Sequence, residues 1–517
     1  MNRIEPKRQS DFAFIRLFVC QVQEKRKGLR SYREHVVLMK HYDVIIIGCG
    51  VVGAATAYHL SKYKLSVGVL EASNDIGCGA TKANSAILHA GYDPEPGTLC
   101  ARLNVEGVKL AKEICEKLSV LRREIPSLVL AFTEKDMELV KHLYDNGVEN
   151  GVEGIRILNN VETLEAEPMV NPEVLGALYA PSAIVDPWEY TCAMAETAVR
   201  NGAEVNLSCK VTAVDINENG YVVHTAGGDF TADYVVNAAG SYAFEVARMI
   251  GDASFEPLHR CGQYYVLDKS EGQRINTVIF RCPDENGKGV LVSPTVHGNL
   301  IVGPDAFIVE DGKTVATVAE TLHKLKPSGK KSVPSLDFSK TIHEYAGVRP
   351  IAVDSDFIIR SSDRSERFVH LAGIKSPGLS AAPAIALEGI GILREKGLVL
   401  EEKENFVDER HVVRFNAMTA EEKAKAVKEN PLYGRVVCRC ETVTEGEIVD
   451  AIHRPIIPRS LDGIKRRTGA GIGRCQGGFC STRIHEIIAR ELGMSPLDIT
   501  LGDDGSYILT GETKEVK

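Results

Sequence analysis

Three stretches of this 517-residue chain predict an α/β architecture, α+β overall, with a small helical domain towards the C-terminus. Residues 42–47, YDVIII, are a β-branched apolar run that stops at Gly48-Cys49-Gly50-Val51-Val52-Gly53 and reads as a buried parallel strand. Between about residues 205 and 345 lie short strand-like segments such as GQYYVLD and NLIVG, with turn runs Glu-Asn-Gly and His-Gly-Asn among them. They predict an antiparallel sheet. Near the end, Cys438-x-Cys440 and Cys475-x4-Cys480 are separated by 34 residues, with glycine at 469, 471, 473, 477 and 478.

The chain is long enough for two or three domains with ample core. Apolar residues make up 44% and charged residues 25%, the balance of an ordinary globular protein. A net charge of −9 and the lack of a basic patch interleaved with aromatics argue against nucleic-acid binding. No run of eighteen apolar residues suggests a membrane span. Nine of the thirteen cysteines are scattered without metal or disulfide spacing, so the expected location is the cytoplasm, at most peripheral to a membrane. The first forty residues carry ten Lys/Arg against four Asp/Glu. Residues 1–39 are therefore expected to be a basic extension outside the fold, with Met39 the natural first residue.

The glycine run sits in the context that a dinucleotide site requires. A strand precedes it, the helical sequence AATAYHLSKY follows, and a second strand at 66–70 ends in Glu71. In this Rossmann-like unit Gly48 makes the tight turn, Gly50 admits the pyrophosphate and Gly53 lets helix pack on strand. The helix N-terminus favours the phosphates, and Glu71 accepts from the adenosine ribose. The motif alone does not separate FAD from NAD.

The next segment, ASNDIGCGATKANSAILHAGYD at 72–93, resembles the flavin-contacting stretch of the D-amino-acid-oxidase-like superfamily of FAD enzymes. Two further segments are similar to that superfamily's other FAD contacts: ADYVVNAAGSYA at 232–243 and FVHLAGIKSPGLSAAPAIALEG at 368–389. The resemblance covers about residues 40–395. It implies FAD, held additionally by Ala72, Thr81, Asn84, Ser85, Val211, Ala239, Gly240, Gly373, Lys375, Gly378, Leu379 and Ser380. It also implies a substrate lying between the flavin and the antiparallel sheet, inserted at roughly 205–345. No second nucleotide motif follows a strand, so electrons are expected to leave by another route than NAD(P).

Arg349, in EYAGVRPI, matches the GVRP turn of FAD-linked glycerol-3-phosphate dehydrogenases, which implies an anion clamp. Lys375, in GIKSP, is similar to the lysine of their GGK turn. His89, in NSAILHAG, would by the same resemblance approach the flavin and take a hydroxyl proton as hydride leaves the carbon. Arg260 and Tyr264 lie on a strand that could face the substrate, and His297 reads as a hairpin-turn residue. The stretch NSAILHAGYDPEPGTLCARLNVEG looks more like L-2-hydroxyglutarate dehydrogenases. Amine oxidation of the sarcosine or glycine type is a third reading, and a flavin and iron–sulfur shuttle without a substrate is the non-enzymatic one.

Residues 397–432 are charged and read as a helical linker ending at Pro431. Residues 433–492 hold the four cysteines, and 493–517 read as a tail. Four thiolates on two short loops suit one compact metal centre, and glycines can point N–H groups at the sulfurs and raise a reduction potential. That favours a [2Fe–2S] cluster over a four-cysteine zinc site, whose knuckles are usually C-x(2–4)-C. The segment resembles the bacterioferritin-associated-ferredoxin type. Together the resemblances point to an anaerobic glycerol-3-phosphate-dehydrogenase-like protein. The implied partners are a small anionic substrate and an electron-acceptor protein, either a second flavoprotein or a quinone-linked subunit.

Overall fold

The computed structural model describes residues 39–282, 289–353 and 356–514. The basic extension expected over residues 1–39 lies outside them except for Met39.

The first sheet grows around Lys40–Ile47, whose last four residues are all buried. Its order is Ile358–Ser362, Ser365–Ala372, Gly228–Asn237, Lys40–Ile47, Val67–Leu70, Glu204–Asn206. Gly228–Asn237 and Val67–Leu70 flank the central strand in parallel, with Ile47 opposite both Asn237 and Leu70. Burial on both faces explains the continuous apolar runs. Helix Val51–Leu60 follows the glycine turn and is buried nearly all round, packed against helices Pro187–Arg200 and Gly378–Glu395. Val211–Asn217 and Gly220–Thr225 form a hairpin added antiparallel to Gly228–Asn237.

A second, ten-stranded sheet stands against the first. Pro257–Leu267 and Thr341–Ala352 pair along their whole length, placing Arg260 opposite Arg349 and Tyr264 opposite Tyr345. This sheet differs from expectation in two ways. It recruits Ile87–Leu88, Arg122–Ala131, Arg156–Asn159 and Gly176–Val185 from outside the expected 205–345 insertion. The segments VNLSCKVTAVDIN and YVVHTAG, expected here, belong instead to the first sheet. They are a local hairpin whose apolar face closes a cluster with Tyr42, Ile45 and Phe368.

The segment expected as a helical linker is helical over Ala420–Glu429, with short 3-10 turns at Phe415–Ala417 and Pro431–Gly434. Upstream of that helix it lies on the FAD body: Lys403 donates to Ser61 O at 3.1 Å, and Arg410 pairs with Glu189 at 3.2 Å and Glu196 at 3.3 Å. Three helices then build the terminal domain: Glu445–Ile452, Leu461–Thr468 and Ser481–Leu492. They enclose Ile448, Ile464, Ile484, Ile487 and Ile488. The tail returns to the FAD body, where Asn74 donates to Gly502 O at 2.7 Å.

The seam between body and terminal domain is ionic. Asp75 accepts from Arg466 at 2.6 Å and from both terminal nitrogens of Arg467 at 2.9 Å. Burial pushes the Asp75 carboxyl up, but the two guanidiniums outweigh it and hold it below the usual carboxylate range. Among the described residues no helix is long and apolar enough to cross a membrane.

Asp75→Asn should cost about 3–5 kcal/mol, because it strands two buried cations. Since the folded carboxyl titrates below its unfolded value, this stabilisation is complete above the unfolded range near pH ~4 and fades as pH falls through the folded value. Urea unfolding of both proteins from pH 7 to 3 should therefore show the gap narrowing on acidification. A constant gap would remove the ion pair from the explanation.

Candidate functional site

The glycine turn opens a cavity of about 850 Å³ that reaches from the first sheet to the second. Gly48 has φ +98°, and a Cβ there would lie 2.7 Å from Ala238 O. A Cβ on Gly53 would lie 2.0 Å from Gly48 O. Helix and strand thus meet backbone to backbone. The cavity wall includes Gly48, Gly50, Glu71, Ala72, Thr81, Asn84, Ser85, Val211, Ala239, Gly240, Gly373, Lys375, Gly378 and Leu379. Gly53 and Ser380 are not on it. Gly53 packs behind the turn, and Ser380 Oγ accepts from His89 N at 2.8 Å.

Glu71 receives Cys49 N at 2.7 Å and Ser73 N at 2.9 Å, which leaves acceptor capacity towards the cavity. Burial raises its carboxyl, opposed by those two N–H groups. Thr81 Oγ1 accepts Val51 N at 3.0 Å, tying the 72–93 segment to the first helical turn. The turn, the helix N-terminus and the acid at the end of the second strand fit a dinucleotide in chemistry and in room.

The wall also carries Tyr264 and Arg349 from the second sheet, His89 just after its strand Ile87–Leu88, and Lys375 from the turn after the first-sheet strand Ser365–Ala372. Arg349 donates to Asp305 O at 3.3 Å and lies over Gly262, where a Cβ would meet its Nη2 at 2.4 Å. The absence of a side chain at 262 is what lets the guanidinium lie flat on the sheet. Tyr264 stacks on Tyr345 at 4.8 Å and shares hydrogen bonds with Arg349 and Ser85. Burial raises its hydroxyl, with Arg349 acting against that. His89 sits with its ring 5.8 Å from Phe280. Of the weaker expectations, Tyr264 faces the cavity and Arg260 is absent from its wall. His297 is in a turn as expected, and its Nε2 meets Asp186 at 2.9 Å, outside this cavity.

Gly262, Lys210 and Asp503 line the cavity without having been expected there. Gly262 was legible only as the second residue before Tyr264 on the same strand face. Asp503 had no local signal at all, since it arrives from the tail.

The terminal cysteines pair across their loops: Cys440 and Cys475 sulfurs are 3.7 Å apart, and Cys438 interacts with Cys480. A tetrahedral zinc would hold all six S···S distances near ~3.8 Å, given its ~2.3 Å bonds. No three of these sulfurs lie within 4.8 Å of one another. Two separated pairs, one sulfur from each loop per pair, suit two irons. Backbone N–H groups of Gly471 and Glu441 point at Cys438, that of Cys475 at Cys440, and those of Phe479 and Gly477 at Cys475. A Cβ on Gly473 would lie 2.3 Å from the Cys440 Cβ, so this loop closes only with glycine there. The inner pair is buried, Cys440 is exposed and Cys475 is half-exposed.

Comparison with known proteins agrees with both halves. Residues 43–388 match the family described as FAD dependent oxidoreductase, and residues 436–490 match the BFD-like [2Fe-2S] binding domain. The chain is 46% identical to a glycerol 3-phosphate dehydrogenase of Caloramator mitchellensis, over 92% of this chain and 99% of that one. An L-2-hydroxyglutarate dehydrogenase of Escherichia coli K12 is 29% identical over 56% of this chain and 71% of its own. Among solved structures, the dithionite-reduced, FAD-bound L-alpha-glycerophosphate oxidase of Mycoplasma pneumoniae superposes with a TM-score of 0.69. It is 36% identical and covers 72% of this chain and 100% of that one.

Gly262→Ala should push Arg349 off the sheet and raise the KM for an anionic substrate by roughly tenfold, with a smaller change in kcat. Steady-state kinetics with a dye acceptor reads this, and an unchanged KM would detach the Gly262–Arg349 contact from substrate binding. Chemical analysis should find two irons and two acid-labile sulfides per chain, and Cys475→Ser should lower both. Stoichiometric zinc would overturn the paired-sulfur reading.

Proposed function

The chain belongs to the FAD dependent oxidoreductase family, and on that premise we propose that it oxidises sn-glycerol 3-phosphate to dihydroxyacetone phosphate and exports the electrons singly through its [2Fe–2S] centre. One observation carries this reading. The likeness to a glycerol 3-phosphate dehydrogenase runs through both the FAD body and the cysteine domain, at 46% identity over 92% of the chain.

The roles follow from the cavity. Arg349 receives the phosphate, because a planar guanidinium pairs two oxygens at once. Its partners Tyr264 and Asp305 O fix its plane. His89, with its backbone N–H held by Ser380 and its carbonyl held by Asn104 Nδ2 at 3.0 Å, takes the proton of the reacting hydroxyl. Lys375 adds positive charge on the turn that precedes helix Gly378–Glu395. The glycine turn, Glu71 and the 72–85 segment hold the FAD, which when bound accepts the carbon-bound hydrogen and can hand electrons on one at a time. The cysteine pairs hold the cluster, with the Cys440–Cys475 side at the surface, where an acceptor protein can approach.

Anaerobic addition of sn-glycerol 3-phosphate should bleach the flavin band near ~450 nm, whereas L-2-hydroxyglutarate and sarcosine should not. Bleaching by hydroxyglutarate alone would move the same machinery to a dicarboxylate substrate. Arg349→Ala should raise KM by roughly tenfold or more, and His89→Ala should lower kcat by about 10²–10⁴-fold. An unchanged kcat in His89→Ala would take the proton away from His89. Cys440→Ser should keep the bleaching and lose electron delivery to a one-electron protein acceptor.

A further inference from the structure

The tail beyond the cluster domain is strapped down on both sides. Leu461 N and Asp462 N, at the start of helix Leu461–Thr468, donate to Thr500 O at 3.1 Å and Leu501 O at 2.8 Å. The FAD body holds the next residues. Asn74 Nδ2 donates to Gly502 O at 2.7 Å, and Ser208 Oγ donates to Asp504 Oδ2 at 3.1 Å. The turn also closes on itself, with Leu501 N donating to Ser506 O at 2.8 Å and Gly502 N to Ser506 Oγ at 3.0 Å.

The two body residues that grip the tail belong to one end of the flavin cavity. Asn74 follows Glu71, Ala72 and Ser73, and Ser208 precedes Lys210 and Val211, and all five of those neighbours line the cavity. The two segments are joined to each other, Ser208 N donating to Ser73 O and Cys209 N to Glu71 O, both at 2.8 Å. With Glu71 placed to receive the ribose, this is the adenosine end. Asp503 sits between the two gripped tail residues and reaches the cavity wall. Among the described residues its carboxylate forms no hydrogen bond or ion pair, which leaves its acceptor capacity for a ligand. A carboxylate suits the donors of an adenosine half, the ribose hydroxyls and the adenine amine. It does not suit the pyrophosphate, which the helix N-terminus at Val51 attracts. The matched family segments are 43–388 and 436–490, so neither contains this residue.

We propose that Asp503 is an FAD-binding residue supplied by the C-terminal tail, where it accepts a hydrogen bond from the adenosine half, and that the tail is a latch on the cofactor. FAD then leaves only when the tail lifts from Asn74 and Ser208. Linkage makes the effect reciprocal, so bound FAD holds the tail, and with it the edge of the cluster domain, against the body. The latch requires FAD in the cavity and is indifferent to which substrate is oxidised there.

Release of FAD from the diluted holoenzyme, followed by the rise of free-flavin fluorescence, tests this. Asp503→Ala should release FAD roughly three- to tenfold faster, the loss of one partly solvated hydrogen bond, and Asp503→Asn, which keeps an acceptor, should fall between it and the wild type. Asn74→Ala, which is off the cavity wall, should also speed release because it frees the strap. An unchanged or slower rate in either alanine variant overturns the proposal. Iron content and cluster absorbance report whether each variant is folded and loaded. Should an alanine variant lose its cluster, hydrogen–deuterium exchange of the wild type decides the matter. Amides of residues 500–506 should exchange more slowly in the holoenzyme than in FAD-stripped protein with its cluster intact, and equal exchange overturns the latch.

Discussion

The chain depends on one buried carboxylate. Asp75 follows the second parallel strand by five residues, close to the segment that lines the flavin cavity, and its oxygens are the anchor for Arg466 and Arg467 of the cluster domain. A buried salt bridge of this kind contributes little net stability over apolar packing, but breaking it is expensive because it leaves charges in a dry seam. Its value is positional. Arg467 also donates to the carbonyls of Ile456 and Gly463, so one guanidinium fixes the loop before helix Leu461–Thr468, the helix itself and the FAD body together.

The flavin cavity exists because two sheets meet where side chains have been left out. Gly48 and Gly53 let strand, turn and helix close around the phosphates, and Gly262 and Gly347 clear the opposite wall. At Gly347 a Cβ would sit 2.2 Å from Ala83 O, so the second sheet lies against the flavin-side segment with no spacer. Arg349, two residues on, inherits its position from that contact. If Arg349 is the substrate clamp proposed above, substrate recognition on one sheet is thereby indexed to cofactor binding on the other.

Much of this was legible in the sequence, and the reason is local chemistry. The strand, glycine turn, helix and acid from Lys40 to Glu71 are contiguous, so their pattern states their geometry. The four cysteines declared themselves by residue type and spacing. What stayed hidden depends on contacts between distant segments. Alternation left open whether Arg260 and Tyr264 face inward, and only Tyr264 reaches the cavity. The second sheet takes Arg122–Ala131 and Gly176–Val185 from outside the 205–345 stretch expected to supply it, because strand partners are chosen by tertiary packing. The connecting segment looked like a helical linker from its charge. Arg410 and Arg414 are charged because buried glutamates await them, and composition cannot tell that from exposure.

The crossed pairing of the cysteines carries a consequence for biosynthesis. Because each sulfur pair takes one member from either loop, neither iron can gain its full protein ligand set until the second loop, Cys475 to Cys480, has been made. Every flavin-lining segment of the body except the tail residue Asp503 precedes them. Maturation is therefore ordered along the chain: the nucleotide half can form first, and the inorganic half can be loaded only after it.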